Sequence, residues 1–257
     1  MRLIPLAFLL LAACGSSASA PAWPRSPCHQ TLFEAVRFTV CDPGKGTIRL
    51  IAAGKDEVPL RTFAEVMSRI PAERVAFAMN AGMFDEDGRP IGLAVVDGVQ
   101  HHAINLRDGG GNFHLKPNGV LVVRKSGAAS IMTSEAYHPA ADIAFATQSG
   151  PMLVIDGNLH PKFDVDGESR FIRNGVGIGP GGKPLFVISN EVVSLGKLAR
   201  LFRDALHAKN ALYFDGSVSS LWDPAAGRQD SGVPLGPIIV ALRPEASAPD
   251  RAGRARP

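Results

Sequence analysis

Short apolar runs that stop at glycine-containing turns restrict the fold of this chain more than any other feature. Runs of four or five residues occur at 75–79, 120–123, 152–155, 185–188 and 211–214. Runs of this length are typical of buried strands rather than helices, and the turns between them favour hairpins. The sequence therefore predicts a single α+β domain, with a mixed or mostly antiparallel sheet of many short strands.

Two stretches predict substantial helices that accompany this sheet. Thr62 and Glu65 form a capping-box pattern, and the apolar positions that follow lie on one face until Pro71. Ser194 is a typical N-cap for the second helix. An apolar stripe follows it at Leu195, Leu198, Leu201, Phe202 and Leu206.

The N-terminal residues are typical of an export signal. Residues 1–13 combine Arg2 with an apolar run that is too short to span a bilayer. The run ends in residues 11–14, Leu-Ala-Ala-Cys, which resemble the lipobox of bacterial lipoproteins. This pattern predicts lipidation of Cys14, and Gly15 after it indicates the periplasmic face of the outer membrane. An ordinary signal peptide is the alternative.

The composition then divides the remaining chain. Residues 14–27 are rich in Ser, Ala and Pro and are predicted to be a flexible tether. Residues 28–243 are predicted to be the folded domain, and residues 244–257, rich in Pro, Ala and Arg, a disordered tail.

Cys28 and Cys41 remain after Cys14 is assigned to the anchor. Export places them in an oxidising compartment, so we predict a Cys28–Cys41 disulfide, with two free thiols as the alternative. The residues between them, 31–40, alternate in polarity and are predicted to form one strand.

Charge and motifs exclude several classes of function. The net charge is only +3, and two basic clusters lie in the terminal segments, so no nucleic-acid partner is predicted. Dinucleotide, P-loop and nucleophile-elbow motifs are absent, and no metal ligands or cofactor are predicted. A divalent cation is left open, because aspartates at strand ends can bind one.

Polar residues recur beside glycine at the ends of the apolar runs. Each of them alone is typical of a turn cap, but together they favour one site built on a rigid scaffold. The set comprises Asn80, Asn112, Ser149 with Gly150, Arg173, and Asp215 with Gly216, Ser217 and Ser219.

These stretches, in this order, resemble the phosphodiester glycosidase domain family. The resemblance rests on residues 80–84 (Asn-Ala-Gly-Met-Phe), Ser149-Gly150, residues 173–177 (Arg-Asn-Gly-Val-Gly) and residues 210–219. Ser217 and Val218 depart from it, because the family usually has glycines there. The resemblance implies hydrolysis of a sugar joined to phosphate through its anomeric oxygen.

The chemistry of such a bond suggests a role for each group. A guanidinium can grip phosphate with two hydrogen bonds, which suits Arg173, and a carboxylate near the anomeric carbon suits Asp215. Asn80 completes the predicted catalytic set. The predicted substrate-binding residues are Ser149, Gly150, Asn112, Gly216, Ser217 and Ser219.

A second acid or base is left open among six candidates. They are Asp85, Asp164, Asp166, Glu191, His102 and His114. The predicted partners are a sugar-phosphate or envelope glycan and, through Cys14, a membrane. Two alternatives to the hydrolase are a non-catalytic glycan-binding lipoprotein on the same scaffold and a metal-dependent phosphodiesterase.

Overall fold

The computed structural model describes residues 25–53 and 57–244. The predicted signal peptide, Cys14, most of the tether and all of the tail beyond residue 244 lie outside these ranges. In chain order the strands are β1 (Cys28–Phe33), β2 (Val36–Cys41), β3 (Ile48–Ile51), β4 (Val75–Asn80), β5 (Ala94–Val96), β6 (Val99–His102), β7 (Gly119–Arg124), β8 (Ala129–Thr133), β9 (Ile143–Ser149), β10 (Met152–Ile155), β11 (Asn158–Leu159), β12 (Asn174–Ile178), β13 (Pro184–Ser189), β14 (Asn210–Tyr213), β15 (Leu221–Asp223), β16 (Arg228–Gln229) and β17 (Ile238–Leu242).

These strands form three sheets. A seven-stranded sheet has the order β1-β2-β13-β12-β14-β10-β11, and two five-stranded sheets have the orders β16-β15-β4-β17-β3 and β6-β5-β9-β7-β8. The strand pairings within the described residues are all antiparallel. The antiparallel form of the predicted fold is therefore confirmed.

The three sheets share one core. The apolar run of strand β7 is buried on both of its faces. Leu121 and Val123 face the shared core, whereas Val120 and Val122 face a second hydrophobic cluster on the other side of the sheet. Phe77 of β4 meets Phe186 of β13 in the shared core, with ring centroids 5.4 Å apart. Burial on both faces explains why such strands are continuous apolar runs rather than alternating ones.

The prediction of two substantial helices is overstated, since only the second is substantial, but both predicted N-caps are confirmed. Helix α1 (Phe63–Met67) has five residues, and α2 (Leu195–Arg200) continues into a π-helical turn at Leu201–Ala205. The Ser68 hydroxyl donates to the Glu65 carbonyl at 2.6 Å. This bond competes with helical hydrogen bonding and helps to end α1 before Pro71. The helices cover the outer faces of two sheets.

No helix within the described ranges has the length and apolar character needed to cross a membrane. Short 3-10 turns join many of the strands. They lie at Ala72–Arg74, Ser134–Ala136, Pro180–Gly182, Gly216–Val218 and Pro224–Ala226.

The segment 31–40 is a hairpin and not the single predicted strand. Strands β1 and β2 pair across a two-residue turn at Glu34 and Ala35, with φ angles of 45° and 62°. Such turns usually carry Asn or Gly, and neither is present here. The hairpin places Cys28 directly opposite Cys41, and the predicted disulfide between them is confirmed.

Removing this disulfide should destabilise the fold without changing its strand topology. We expect the Cys28→Ser/Cys41→Ser double variant to lose about 3 kcal/mol of unfolding free energy, because the loop it closes is short. Urea unfolding followed by circular dichroism measures the loss. Dithiothreitol should lower the midpoint of the wild type and leave that of the double variant unchanged. Equal midpoints for the two proteins would contradict the expectation.

Candidate functional site

Three chain segments meet at the end of β14. The backbone N–H groups of residues 213–215 donate in turn to the carbonyls of Pro151, Asn174 and Ala81, at 3.1, 3.2 and 3.0 Å. Pro151 lies just after β9, Asn174 is the first residue of β12, and Ala81 lies just after β4. The loops that carry most of the predicted polar residues therefore gather around Asp215.

Asn80 holds this junction together. Its Nδ2 donates to the Asp215 carbonyl at 2.8 Å, and its Oδ1 accepts from Asn174 Nδ2 at 2.9 Å and from the Ser220 N–H at 2.8 Å. The side chain is buried. These contacts support a positioning role for Asn80, which places the Asp215 loop against β4 and β12.

The two carboxylate oxygens of Asp215 have different surroundings. Its Oδ1 accepts from the Ser217 N–H at 3.1 Å and from the Ser217 hydroxyl at 2.5 Å, which caps the turn Gly216–Val218. Its Oδ2 accepts no hydrogen bond from a described residue. The side chain is half-buried. One oxygen thus fixes the carboxylate and the other is available to a ligand.

Arg173 is buried among neutral groups. The side chain is 1% exposed, and its Nε donates to the Val193 carbonyl at 2.8 Å. Nη1 donates to the Tyr213 hydroxyl at 2.7 Å, and Nη2 donates to the Ser169 carbonyl at 2.9 Å. Within the described residues it makes no ion pair. Since buried charges are usually paired, an uncompensated guanidinium here favours an anionic ligand.

Tyr213 links Arg173 to Asp215, and the sequence interpretation missed it. Burial raises the pKa of its phenol, and the charge of Asp215 adds to this rise, whereas the charge of Arg173 opposes it. The phenol therefore keeps its proton at neutral pH and can donate it in a hydrogen bond. One signal was available: Tyr213 lies two residues before Asp215, in a chain with only two tyrosines.

Gly216 is required by the close approach of Tyr213. A Cβ added to Gly216 would overlap the Tyr213 hydroxyl. We expect Gly216→Ala to destabilise the fold by about 1–3 kcal/mol through overpacking and to lower turnover, since the phenol must leave Arg173. Gly110→Ala is the matched control, because nothing lies within 4 Å of its added Cβ. Equal thermal midpoints and activities for the two variants would contradict this geometry.

Ser149 and its neighbours lie on the other side of the junction. Ser149 ends β9, and its buried hydroxyl has no hydrogen-bond partner among the described residues. A Cβ on Gly150 would stand 2.7 Å from the Phe113 carbonyl and 3.1 Å from the Asn112 carbonyl. The Asn112 side chain is exposed. The 112–118 loop thus packs on Gly150, next to the Pro151 contact with β14.

Ser219 and Ser217 differ in what they contact. The Ser219 hydroxyl lies 2.9 Å from the Ile172 carbonyl and 3.1 Å from Asn174 Oδ1, so it acts within the fold. Ser217 is exposed, and within the described ranges its side chain bonds only to Asp215. The sequence interpretation also missed Asn174, which directly follows Arg173 and connects Ser219 to Asn80.

Two hollows lie in this region, one lined by Arg173 and the other by the exposed Phe171. One, of about 220 Å³, is lined by Arg173 together with the loop that contains Asp164, Glu168 and Ser169. The other, of about 300 Å³, is lined by the Gly216–Val218 turn and by Phe171. Phe171 is 56% exposed and stacks on the Arg173 guanidinium, with 5.3 Å between ring centroid and Cζ. An exposed aromatic ring that borders one of these hollows and stacks on a guanidinium suits the apolar face of a sugar.

The six acid–base candidates are now separated by position. Asp164 lines the hollow beside Arg173, where the unpredicted Glu168 also lies. The others make their contacts elsewhere: Asp85 with the Arg89 N–H, Asp166 with Arg170, Glu191 with the Arg37 N–H, His102 beside the Ala103 carbonyl and His114 beside the Arg107 carbonyl. No group of three or more metal-binding side chains occurs in the ranges that the structure describes.

Solved structures share this fold at low sequence identity. The zebrafish N-acetylglucosamine-1-phosphodiester alpha-N-acetylglucosaminidase catalytic domain, auto-inhibited by its pro-peptide, has a TM-score of 0.56 at 15% identity, covering 84% of this chain and 81% of that one. A hypothetical protein from Synechocystis has a TM-score of 0.52 at 16% identity, covering 84% of this chain and 61% of that one. At these identities the likeness supports the fold alone.

Sequence comparison identifies the family. The uncharacterized protein YigE of Escherichia coli (strain K12) is 36% identical over 149 residues, which is 58% of this chain and 58% of that protein. The family model for phosphodiester glycosidase matches residues 73–231, which is more than half of the chain and contains the whole Asp215 junction. The chain therefore belongs to the phosphodiester glycosidase family.

Proposed function

We propose that this protein is an exported hydrolase that cleaves the bond between a sugar anomeric carbon and the oxygen of a phosphodiester. The observation that carries the proposal is the buried Arg173, which has no anionic partner among the described residues and reaches the Asp215 loop through Tyr213. A phosphate group supplies the missing negative charge, and the sugar attached to it would lie toward Asp215.

The reaction needs little help at its leaving group. A phosphate monoester has a second pKa of about 6, so it can depart without full protonation. The anomeric C–O bond breaks, its electron pair goes to the phosphate oxygen, and a water oxygen forms the new bond. The proton of that water passes to a base. Asp215 Oδ2 is suited to stabilise the positive anomeric centre or to take this proton.

The neighbouring groups have distinct tasks in this proposal. All three guanidinium nitrogens of Arg173 already donate within the fold, so Arg173 contributes its positive charge rather than the predicted two-bond grip on phosphate. The protonated Tyr213 supplies a hydrogen-bond donor to the departing phosphate. Phe171 supports the sugar ring, whereas Ser149 and Gly150 are buried and support the site by packing beside the 112–118 loop. Asn80, Asn174 and Ser219 keep the Asp215 loop in position. Ser217 and Val218, where the family usually has glycines, narrow the hollow beside Phe171 and so select among sugars.

We further propose that the protein acts on cell-envelope glycans from a lipid anchor at Cys14. The disulfide between Cys28 and Cys41 supports export, because such bonds persist in oxidising compartments. The lipobox-like residues 11–14 support attachment to the membrane. Radiolabelled palmitate incorporation in cells should mark the wild type and not a Cys14→Ala variant, and equal labelling of the two would refute the anchor.

A panel of sugar-1-phosphodiesters, including N-acetylglucosamine-1-phosphodiesters, tests the activity. We expect time-dependent release of free sugar together with a phosphate monoester, proportional to enzyme concentration. Saturable binding without product across the panel at high enzyme concentration would replace the hydrolase with the non-catalytic glycan-binding alternative.

A further inference from the structure

Three arginines line a separate cleft of about 360 Å³ at the far end of β4 and β17. The lining residues are Thr47, Arg49, Arg74, Leu242 and Arg243. Leu242 pairs with Val75 at the start of β4, whereas Ile238 pairs with Asn80 at its end. Five residue steps at about 3.3 Å each separate the two levels, so the cleft lies roughly 17 Å from the Asp215 junction.

Backbone hydrogen bonds fix the frame of this cleft. The Leu242 N–H donates to the Thr47 carbonyl at 2.7 Å, and the Arg243 N–H donates to the Arg74 carbonyl at 2.8 Å. Arg49 lies opposite Val240 in the pairing of β3 with β17. The three guanidinium groups therefore extend from three chain segments that are bonded to one another, and a ligand does not have to bring those segments together.

The Arg243 guanidinium has two nitrogens that the described part of the fold does not bond. Its Nε and Nη2 are buried, and neither has a hydrogen-bond partner in the part of the chain that the structure describes. Buried nitrogens of a charged group are normally satisfied, so two unsatisfied ones on a single guanidinium need an explanation. No acceptor among the described residues holds these two nitrogens, so the guanidinium can turn toward the cleft without breaking a hydrogen bond to them.

The described residues that line the cleft carry charge of one sign, and no carboxylate is among them. Glu73, next to Arg74 in sequence, is exposed and lies outside the lining. Arginine forks match tetrahedral oxyanions because each can donate two parallel hydrogen bonds. A phosphate group therefore complements the cleft in both shape and charge.

We propose that this cleft is a second anion site, which binds a phosphate group through Arg243 and Arg49. It is separate from the hydrolytic site, since Arg173 and Asp215 lie at the other end of β4. The phosphate can come from a soluble phosphate compound or from a phospholipid headgroup, and the two sources are distinguished by experiment.

Titration calorimetry of the full-length chain with inorganic phosphate at low ionic strength is the first test. Arg243→Gln should weaken phosphate binding roughly tenfold or more, since two charge-assisted hydrogen bonds are lost. Arg49→Gln, at an exposed position on an edge strand, serves as a second variant if Arg243→Gln folds poorly. Arg37→Gln is the matched control, because it removes the same charge from an exposed arginine outside the cleft.

Vesicle co-sedimentation distinguishes the sources. The readout is the preference for phosphatidylglycerol over phosphatidylcholine vesicles, since an apolar N-terminal segment affects both alike. A preference that Arg243→Gln removes and Arg37→Gln retains assigns the site to a lipid headgroup. Phosphate binding that depends on Arg243, without such a preference, assigns it to a soluble phosphate compound. The proposal is overturned if the wild type shows neither, or if Arg243→Gln and Arg49→Gln both behave like Arg37→Gln.

Discussion

Replacing Asp215 with asparagine should lower kcat/KM for a sugar-1-phosphodiester by about 10²- to 10⁴-fold, the usual range for loss of a positioned acid or base. The fold should survive, because the amide oxygen can keep the place of Oδ1 and accept from the Ser217 N–H at 3.1 Å. The carbonyl that bonds to Asn80 belongs to the backbone and is unaffected. Only the negative charge toward the sugar is removed.

Asp87→Asn is the matched control for this variant. Asp87 is exposed in a turn and is not among the residues that line either hollow beside Arg173. It should leave both the thermal midpoint and kcat/KM unchanged. Full activity in Asp215→Asn, on a substrate that the wild type cleaves, would remove Asp215 from the mechanism. Loss of the thermal transition instead would show that the carboxylate is needed for folding.

Local features of the fold could be predicted from the sequence. The apolar runs became strands because they are buried on both faces, and Thr62 and Ser194 capped helices as their positions indicated. The helix lengths could not be predicted, since they depend on local competition such as the Ser68 bond to Glu65. The hairpin at Glu34 and Ala35 was missed because its turn lacks Asn or Gly.

The candidate site depends on contacts between distant parts of the chain. Recurrent polar strand ends indicated which loops would matter, but not what each side chain would contact. Asn80 bonds to a carbonyl 135 positions away, and Arg173 bonds to Tyr213 across 40 positions. No local pattern encodes such pairings. The neutral surroundings of Arg173, which favour an anionic ligand, therefore became visible only in three dimensions.

Replacing Arg173 should affect stability and activity for different reasons, and two variants can separate them. Both Arg173→Lys and Arg173→Met lose the guanidinium group, which donates hydrogen bonds to Val193, Ser169 and Tyr213 at once. Buried acceptors left without a donor cost about 1–3 kcal/mol each, so both variants should lose about 3 kcal/mol or more of unfolding free energy. Arg37→Met, at an exposed position, should change it by less than about 0.5 kcal/mol.

Activity then depends on the charge that only one variant retains. If Arg173 stabilises a departing phosphate, Arg173→Lys should keep kcat/KM about 10²- to 10³-fold above that of Arg173→Met, the range for one preorganised group in a water-poor site. Measurements well below both thermal midpoints ensure that folded protein is compared. Equal activities in the two variants would show that Arg173 has only a structural role. The phosphate would then need another partner, and the nearest are Tyr213 and the Gly216–Val218 turn.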